Sequence, residues 1–511
     1  MKKVILKKNR YVDSVSLMAV GDKVTKLEGI SNAEAQMCTP ANLEVLVDDL
    51  GYKLPEDVTA NDLALCVTGE TEEQVDAAMQ MIMDIIDHKN NDGGVSYKSL
   101  SEIDLREDGY DLVQISLPGE YAAAEAKKAL AMGLDVFIFS DNVTLEEEAD
   151  IKKYGTERGR LVMGPDCGVG LIQGVALGAG SIVRPGPVGI VGASGSGAQE
   201  VSCIVERQGL GVSSIIGTGG HDLLPEIGGI TMHAGMRRLD DDPDTKVIVL
   251  VSKLANLDVM AKILDAADRL SKPVVAIFLG ADESLFKGHR VHPAYSLEEA
   301  ALKAVELCTG KKPDAGYTDE QIAKLVSERV SALRPEQKYV RGLFSGGTFT
   351  EEGMIYYTQH NKGAKLYSNL KTKYAEQIPD HSVSVGHCIL DLGAEDFTAE
   401  APHPVFDPML KLKRFKKEVA DPSVAVITMD FIMGPGVAAD PVTPFAKECK
   451  ALKDAGSNLI FISNVCGSLE DPQDTLAAEQ MLRDAGVIVT KSNYESTKIA
   501  SAFLNALEER G

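Results

Sequence analysis

A glycine-rich turn between an apolar run and a polar run occurs twice in this chain. The first copy is GIVGASGSGAQE, residues 189–200, and the second is GLFSGGTFTEE, residues 342–352. Each pattern predicts a buried strand that enters a tight turn and continues as a helix. Because the first N–H groups of a helix have no partner within it, such a turn favours an anion. The sequence therefore predicts two anion-binding turns.

A second pair of similar segments follows the two turns in the same order. DDPDTKVIVLVSKL (241–254) is similar to ADPSVAVITMDFIM (420–433). Ser194 precedes Asp242 by 48 residues and Ser345 precedes Asp421 by 76, so the second copy carries 28 more residues. We expect this insertion near residues 381–408. Ordered similarity of this kind predicts two copies of one domain, related by a pseudo-twofold axis.

Strands alternate with helical segments from about residue 110 onwards. DLVQISLP, DVFIFSDN and LVMGPD have the composition of buried strands, and this alternation is typical of parallel βαβ units. The chain is too long for a single core, and the fold class is multi-domain α/β. The predicted domains are a small N-terminal α/β domain (1–92, closed by the joint KNNDGG at 89–94), an α/β domain (93–186) and two parallel-sheet domains (187–315 and 336–511).

The charge of the chain limits its partners. Its 52 basic and 76 acidic residues give a net charge of −24, which argues against nucleic acid and against an anionic membrane surface. No apolar run approaches the roughly 20 residues of a membrane-spanning helix, and the apolar run in MKKVILKKNR is too short for a signal peptide. Eight scattered cysteines without a C-x-x-C pair indicate reduced thiols and a cytoplasmic protein.

Three interpretations of the first turn stay open. A nicotinamide dinucleotide site is disfavoured, because the spacing is not G-x-G-x-x-G and the next strand, VSSIIGTGGHD, has no acid where the ribose would bind. The turn could also simply close a strand onto a helix. We favour the third interpretation, in which N–H groups and hydroxyls hold a phosphate or a transferred phosphoryl group.

This interpretation assigns roles to the residues of both turns. The predicted catalytic hydroxyls are Ser194, Ser196, Ser345 and Thr348. The predicted phosphate-binding glycines are Gly192, Gly195, Gly197, Gly346 and Gly347, with Gly217, Gly219 and Gly220 of GTGGHD as a second cradle. In the first turn we expect positive φ angles and close backbone approach, which favour glycine.

Histidines supply further candidates. His289 and His292 follow a strand end, and a phosphorylatable His292 is the predicted catalytic histidine, with an ordinary loop residue as the alternative. The predicted insertion contains His381, His387, His403, Asp391, Asp396 and Asp407. Their spacing matches no tight ligand motif, so we assign no metal.

The ends of strands provide the remaining candidates, because ligands of parallel sheets bind at the carboxyl ends of the strands. Asn142 and Asp166 occupy such positions and are predicted to bind substrate, together with His403 and Asp407 of PHPVFDP. Cys167 follows a strand end as well. A packed thiol is the favoured interpretation of Cys167, and a nucleophile is the alternative.

A series of motifs identifies a family. The segments, in chain order, are KNRYVDSVSLM, CTPAN, FSDNVTLEEE, VMGPDCG, GASGSGAQE, GGHDL, GLFSGGTFTEE and PHPVFDP. With them the whole chain resembles the FdrA family, a branch of proteins similar to the α-subunit of succinyl-CoA synthetase. The resemblance to that α-subunit itself covers about residues 110–310.

The resemblance implies a fold and a site. Residues 93–186 would be a Rossmann-like, CoA-binding-type domain, and 187–315 and 336–511 two flavodoxin-like ligase domains. In the synthetase two such domains point helix N-termini at a phosphohistidine, so the turns at 194–197 and 345–348 would begin these helices. Only His292 could stand in for that histidine, and its glycine context is missing. The synthetase's early glycine motif for CoA has no match in residues 1–110.

The resemblance also implies functions. One FdrA branch is a subunit of oxamate carbamoyltransferase, which interconverts oxalurate and phosphate with oxamate and carbamoyl phosphate, in purine and allantoin breakdown. Phosphate or carbamoyl phosphate would then be a substrate, no cofactor is certain, and CoA stays an open ligand. The alternatives are an α-type acyl-CoA synthetase subunit with a separate ATP-grasp partner, and a non-catalytic scaffold subunit. Each implies partner chains and an oligomer.

Overall fold

The computed structural model describes residues 1–511 except 13, 40, 41, 44, 56, 89–98, 104, 106–108, 315, 400 and 511. Two compact units are present, Met1–Asp108 with Thr398–Pro402, and Gly109–Phe397 with His403–Gly511. The predicted joint at 89–94 lies outside the described residues. Among the helices that are described, none has the length and apolar character needed to cross a membrane.

The first unit is a small α/β domain, as predicted. Its elements are β1 (Lys2–Lys7), α1 (Ser14–Thr25), β2 (Ile30–Met37), β3 (Leu63–Gly69) and α2 (Glu72–His88). The central strand β3 pairs antiparallel with β1 on one side and β2 on the other. The α2 helix begins after Thr71, whose Oγ1 accepts a hydrogen bond from the Gln74 N–H at 3.3 Å. Its apolar face is part of the core of this unit.

The second unit starts with three parallel strands. The elements are β4 (Leu112–Ile115), α3 (Gly119–Ala131), β5 (Asp135–Ile138), α4 (Leu145–Glu157) and β6 (Val162–Met163). The hairpin β7 (Val169–Ile172) and β8 (Val175–Gly178) then leaves this sheet and pairs antiparallel with β10 of the next sheet. Residues 93–186, expected as one domain, therefore contribute to two sheets.

The first repeat is a flavodoxin-like sheet. Its elements are β9 (Val188–Gly192), α5 (Gly195–Arg207), β10 (Val212–Gly217), α6 (Ile230–Asp241), β11 (Val247–Lys253), α7 (Leu257–Ala267), β12 (Val274–Leu279), β13 (His292–Ala294) and α8 (Leu297–Thr309). The parallel order β10-β9-β11-β12-β13 is the 2-1-3-4-5 order of flavodoxin. Helix α9 (Asp319–Val330) follows, between the two parallel-sheet domains predicted at 187–315 and 336–511.

The second repeat has the same order. Its elements are β14 (Tyr339–Phe344), α10 (Gly347–His360), β15 (Leu366–Ser368), β16 (Glu376–Gln377), β17 (His387–Asp391), α11 (Glu395–Thr398), α12 (Met409–Ala420), β18 (Val424–Ile432), α13 (Thr443–Asp454), β19 (Ile460–Cys466), α14 (Thr475–Asp484), β20 (Ile488–Thr490) and α15 (Asn493–Glu508). The parallel order is β17-β14-β18-β19-β20, with β15 and β16 added beyond β17. The predicted pair of flavodoxin-like domains is confirmed.

The insertion lies earlier than expected. Ser194 precedes the first residue of β10 by 18 residues, whereas Ser345 precedes the first residue of β17 by 42. Most of the extra length therefore falls before β17, where it forms β15 and β16, and not over 381–408. It adds strands to the free edge of the sheet, which is why it leaves the central order of the repeat unchanged.

The two repeats share one hydrophobic core and cap each other's helices. Glu200 on α5 accepts a hydrogen bond from the N–H of Asn493, the first residue of α15 (2.7 Å). Glu352 on α10 accepts one from the N–H of Leu297, the first residue of α8 (2.8 Å). Each glutamate is the sixth residue of its helix and caps the last helix of the other repeat. The pseudo-symmetry therefore extends to single hydrogen bonds.

Both glutamates are buried, at 2 % exposure each. Burial raises the pKa of Glu200 to about 7 and that of Glu352 to about 8, although the hydrogen bonds that they accept act in the opposite direction. A carboxyl whose pKa is higher in the folded than in the unfolded chain stabilises the fold while it is protonated. This contribution is complete below about pH 4.5 and is lost as the pH rises through the folded value.

We expect Glu352→Gln to flatten the pH dependence of stability. The wild-type protein should lose free energy of unfolding between pH 5 and pH 9, with Glu352 responsible for on the order of 3 kcal/mol of the loss. The variant should match the wild type near pH 5, because glutamine resembles the protonated acid, and exceed it at pH 9. Urea unfolding at several pH values measures the difference. The exposed control Glu376→Gln should follow the wild type, and a Glu352→Gln curve parallel to the wild type would contradict the assignment.

Candidate functional site

The N-termini of α5 and α10 begin directly after the central strands of the two repeats. Ser194 caps α5 by accepting a hydrogen bond from the Gly197 N–H at 3.0 Å. The residue before α10 is Gly346, which offers no capping side chain. The first N–H groups of α10 are therefore open to an acceptor from outside the helix.

These two helix ends face each other. The hydroxyl of Ser194 lies 2.7 Å from that of Thr348, the second residue of α10. A Cβ on Gly346 would lie 3.4 Å from the Ser196 hydroxyl. The structure thus brings together Ser194, Ser196, Gly346 and Thr348, four of the residues predicted from the turns. The positive ends of two helix dipoles meet at this point, and an anion there would be stabilised by both.

The glycines of the first turn serve packing. Gly192, Gly195 and Gly197 are absent from the residues with positive φ, so the expected nest of positive φ angles is wrong. A Cβ on Gly197 would lie 2.7 Å from Ser194 Oγ, and one on Gly192 would lie 3.0 Å from the Cβ of Ala198. Gly195 is exposed, and a Cβ there would meet Val169 at an ordinary 3.4 Å. Glycine at 192 and 197 therefore lets the capping serine and the helix close onto the strand.

A lysine and a carboxyl lie over the start of α10. A Cβ on Gly347 would lie 2.8 Å from Lys253 Nζ and 3.0 Å from Asp391 Oδ2. Lys253 is the last residue of β11 in the first repeat, and Glu351 pairs with it at 3.4 Å. Burial raises the pKa of Asp391 to about 6, while its hydrogen bond from Gly393 N–H and the charge of Lys253 act in the opposite direction. The site therefore holds one cation and one acid that titrates near neutrality.

Ser345 does not face the site. Its N–H and its hydroxyl both donate to Asp430 Oδ1, at 2.8 and 3.2 Å. The hydroxyl oxygen in turn accepts from Lys411 Nζ at 3.0 Å. Lys411 and Asp430 form a buried ion pair at 2.7 Å. The predicted catalytic role of Ser345 is thus not supported, because its polar groups are engaged beneath the turn. Ser345 instead ties the strand end to the core of the second repeat.

His403 and Asp407 have structural positions. The His403 ring lies against Gly393, where a Cβ would be 2.3 Å from its Nε2, and Nδ1 accepts from the Val405 N–H at 3.2 Å. Burial lowers the pKa of His403 to about 4, so it is neutral near pH 7. Asp407 accepts from the Met409 N–H at the start of α12, at 2.9 Å. His403 borders the site close to Ser345, whereas Asp407 caps a helix.

The GTGGHD loop lies against the β6–β7 loop. A Cβ on Gly217 would clash with Cys167 Sγ, and one on Gly219, which has a φ of +82°, would clash with the Pro165 carbonyl. Gly220 faces Asp166, at 3.7 Å from a Cβ to Oδ2. These glycines permit close packing of two loops. Because Asp166 borders them, the predicted second phosphate cradle is not supported. Asn142 lies nearby at the end of β5 and is exposed.

His292 lies far from the helix ends. It is exposed and pairs with Val275, the second residue of β12, at the amino end of the sheet. Its strand β13 is three strands from β9, which is roughly 14 Å at the usual strand spacing. His289 contacts Asp268 at 2.8 Å in the same region. Neither histidine can reach a phosphate between α5 and α10.

The structure also bears on two further interpretations, the packed thiol of Cys167 and a metal site in the insertion. Burial raises the pKa of Cys167 to about 12, which supports the packed thiol. His387 and Asp391 lie at opposite ends of β17, so they cannot share an ion. Within the described part of the chain, the one grouping of possible metal ligands is Asp265, Asp268 and His289, outside the insertion.

None of the charged residues of the site was predicted to bind phosphate, and only Asp391 was named at all, among the possible metal ligands of the insertion. Lys253, Asp391 and Asp430 all occupy the carboxyl-terminal part of buried strands, which is the edge where ligands bind. A polar residue at the end of an otherwise apolar strand was therefore the available signal. Lys411 lies within the helix α12 and gave no such signal.

Three families match parts of the chain. Residues 183–280 match the CoA binding domain family, residues 343–503 the CoA-ligase family, and residues 1–100 the heavy metal-associated domain of AllF. The CoA binding match lies on the first repeat, although the sequence suggested that fold for 93–186. The α/β fold with CoA-ligase-type parallel sheets is thereby confirmed.

Individual relatives extend these matches. The protein YahF of Escherichia coli (strain K12) is 38% identical over 516 residues, which is 99% of both chains. The ADP-forming succinate–CoA ligase subunit alpha 2 of Archaeoglobus fulgidus is 28% identical over 45% of this chain and 81% of its own. The apo dinucleotide forming acetyl-coenzyme A synthetase 1 of Ca. Korarchaeum cryptofilum covers 83% of this chain and 88% of its own, at 17% identity and a TM-score of 0.36.

The heavy metal-associated match raises the question of a metal in the first unit. The two cysteines in residues 1–100 are Cys38 and Cys66, and both are buried in an apolar cluster beside Tyr52. Burial raises the pKa of the Cys66 thiol to about 12. A soft metal binds thiolates, so these thiols do not fit that role.

We expect Lys411→Met to destabilise the protein by about 3–5 kcal/mol, because it leaves Asp430 buried without its counter-charge. Adding Asp430→Asn should recover part of that loss. Urea unfolding measures both. Lys413→Met, on the exposed face of the same helix, should change stability by less than about 0.5 kcal/mol. Equal effects of Lys411→Met and Lys413→Met would show that the buried pair does not hold the turn.

Proposed function

We propose, from the premise that this chain belongs to the family of the Escherichia coli protein YahF, that it is a subunit of a phosphate-dependent carbamoyl- or acyl-transferring enzyme. Its phosphate would lie between the N-termini of α5 and α10. The observation that carries the proposal is the 2.7 Å contact between the Ser194 and Thr348 hydroxyls, which joins two helix N-termini from different repeats.

The geometry supplies what a transferred phosphate needs. The N–H groups at the start of α10, the Ser196 hydroxyl and one hydroxyl of the hydrogen-bonded pair Ser194–Thr348 offer fixed donors around one position. Lys253 adds a positive charge over the same helix end. Preorganised donors of this kind stabilise charge that develops during a reaction. They also allow a chain of net charge −24 to hold an anion locally.

Asp391 gives the site a carboxyl group that can accept a proton near neutral pH. With a pKa of about 6 it exchanges a proton near neutral pH, and its Oδ2 lies beside the position above Gly347. In the proposed reaction a phosphate oxygen attacks the carbonyl carbon of a carbamoyl or acyl donor. The proton of the attacking phosphate passes to Asp391 as the new C–O bond forms. Phosphate and donor are thus converted to a mixed anhydride and a leaving group.

The FdrA resemblance narrows the candidates for the reaction to carbamoyl transfer between oxalurate and phosphate. The succinate–CoA ligase relative is one subunit of its enzyme, which supports the proposal that this chain acts with partner chains in an oligomer. The test is the assembled enzyme with oxalurate and inorganic phosphate. Formation of carbamoyl phosphate, followed by ³¹P NMR, supports the proposal, and no phosphorylated product from any carbamoyl donor contradicts it.

An acyl-CoA synthetase subunit is the second candidate, favoured by the CoA-ligase and CoA binding matches. A dinucleotide-like CoA would lie at the carboxyl ends of β5 and β6, where Asp141 and Asp166 are exposed. These acids repel a pyrophosphate and do not fit that group. Calorimetry of the full chain with CoA decides between the candidates, since a micromolar dissociation constant, about 8 kcal/mol of binding, would favour the synthetase.

We expect inorganic phosphate to raise the thermal midpoint of the protein, because a ligand stabilises the state that it binds. Lys253→Met removes the cation and Thr348→Val removes a hydroxyl without changing the size of the side chain. Each should weaken phosphate binding about tenfold, which corresponds to about 1.4 kcal/mol. Thermal unfolding over a phosphate series measures the effect.

The control for this series is Lys262→Met, which removes an exposed lysine from α7. It should retain the wild-type response to phosphate, whereas a general charge effect would weaken all lysine variants alike. Full phosphate protection in both Lys253→Met and Thr348→Val would place the anion elsewhere and would leave the scaffold subunit as the better description.

A further inference from the structure

In the GTGGHD loop, the half-exposed side chain of His221 contacts the fully buried side chain of Glu148 from α4. His221 Nδ1 is 3.3 Å from Glu148 Oε2, and the side-chain exposures are 48% for the histidine and 0% for the glutamate. At this distance the carboxylate attracts a protonated imidazole and favours the orientation in which Nδ1 faces it. It therefore directs the second nitrogen, Nε2, away from the protein interior.

Buried charges hold this glutamate in place. Lys152 Nζ donates to Glu148 Oε1 at 2.6 Å, to Asp222 Oδ1 at 2.8 Å and to the Thr218 carbonyl at 2.9 Å. Asp222 in turn accepts from the N–H of Met232 in the first turn of α6, at 2.9 Å. Neither Lys152 nor Asp222 is exposed. The chain thus encloses two acids and one lysine to position a single solvent-facing imidazole.

Further polar groups lie in the β6–β7 loop beside the GTGGHD loop and in the loop after β5, where the Ser140 carbonyl accepts from the Asp166 N–H at 2.9 Å. Asp166 lies across Gly220 from His221, and its pKa is raised, chiefly by burial and also by neighbouring acids. Ser140, at the end of β5, is buried, and its hydroxyl has no hydrogen-bond partner. Asp141 and Asn142 follow it and are exposed. An unpartnered buried hydroxyl is costly, and its position at a strand end marks a place where a ligand supplies the missing bond.

This group lies on the same sheet edge as the helix ends. β9 and β10 are adjacent parallel strands, and the Thr218 N–H donates to the Gly192 carbonyl at 2.8 Å. Ser194 follows Gly192 by two residues, and His221 follows Thr218 by three. Ser194 and His221 therefore follow two adjacent strands at the same edge of the sheet.

We propose that His221 is the catalytic proton donor to the leaving nitrogen of an N-carbamoyl substrate, a ureide, and that Glu148 is its positioning residue. The inference rests on the proposed phosphate-dependent transfer and adds its second half. A phosphate oxygen forms the new bond to the carbamoyl carbon, the C–N bond breaks, and the nitrogen takes the proton from His221 Nε2. The proton that Asp391 takes from the phosphate is released to solvent, from which His221 regains the proton that it gave to the nitrogen. The products are carbamoyl phosphate and the free amide or amine.

The test compares two carbamoyl donors with the assembled enzyme and inorganic phosphate. A ureide has a poor nitrogen leaving group that needs a proton, whereas p-nitrophenyl carbamate has a leaving group that needs none. His221→Gln should lower kcat/KM for the ureide by about a hundredfold or more and for p-nitrophenyl carbamate by less than about threefold. Glu148→Gln should show the same selectivity to a smaller degree. His292→Gln, an exposed histidine at the other end of the sheet, is the control and should change neither rate.

The outcomes separate the two proposals. Equal losses with both donors would assign His221 a structural role and overturn this inference alone, as would an unchanged ureide rate in His221→Gln. A wild-type enzyme that forms carbamoyl phosphate from neither donor overturns the transfer reaction and this inference with it. If Glu148→Gln unfolds the protein, Glu148→Asp, which shortens the carboxylate but keeps its charge, provides the same selectivity measurement.

Discussion

Four helix N-termini converge where the two repeats meet, and the rest of the site depends on how their partial positive charges are balanced. Buried glutamates satisfy two of them, since Glu352 caps α8 and Glu200 caps α15. The other two, α5 and α10, meet through the hydroxyls of Ser194 and Thr348, which are neutral. Facing dipoles repel each other without negative charge between them. The protein therefore supplies hydrogen-bond acceptors of its own to the outer pair and leaves the inner pair to a ligand.

The repeats are symmetric in backbone order but not in chemistry. Both place a serine after the central strand, yet Ser194 points to the opposite helix while Ser345 is held by Asp430 and Lys411. The second repeat uses its buried ion pair to fix the strand end and leaves Gly346 and Gly347 free of a capping side chain. One helix end is thus completed by its own residue and the other stays open. Divided roles of this kind are expected when one chain carries both halves of a pseudo-symmetric site.

Much of the fold could be predicted because it depends on local patterns. The two glycine turns, the alternation of strands and helices and the ordered repeat are visible in short segments of sequence, and they correctly predicted two parallel-sheet domains. The flavodoxin-like architecture was implied by the family resemblance, and the structure shows its 2-1-3-4-5 strand order in both. The site was only partly predictable. Ser194, Ser196 and Thr348 lie in the turns themselves, whereas Lys253 and Asp391 reach α10 from other strands.

The errors have physical causes as well. His292 follows the end of β12 in sequence, which suggested a position at the carboxyl end of the sheet. It is instead the first residue of β13 and therefore lies at the amino end. The analogy with Ser194 pointed to Ser345, but no local pattern shows that Lys411, 66 residues further along the chain, donates a hydrogen bond to the Ser345 hydroxyl. The direction in which a side chain points at a turn is decided by tertiary partners. The two serines are also not equivalent in the backbone, because Ser194 directly precedes α5 whereas Gly346, not Ser345, directly precedes α10, so the sequence alignment of the turns is off by one residue.

The acid at the helix end explains how a carboxyl and a phosphate can occupy one site. Asp391 already has a raised pKa because burial disfavours its charge. A phosphate placed beside it raises that pKa further, since two like charges at close range cannot both be fully ionised. The pair then shares one proton, which avoids the repulsion between two ionised groups, and this shared proton moves fully onto Asp391 as the phosphate attacks. Lys253, on the same helix end, compensates the remaining charge. The acid thereby favours an anion that can share a proton, as phosphate does, over one that is already fully ionised.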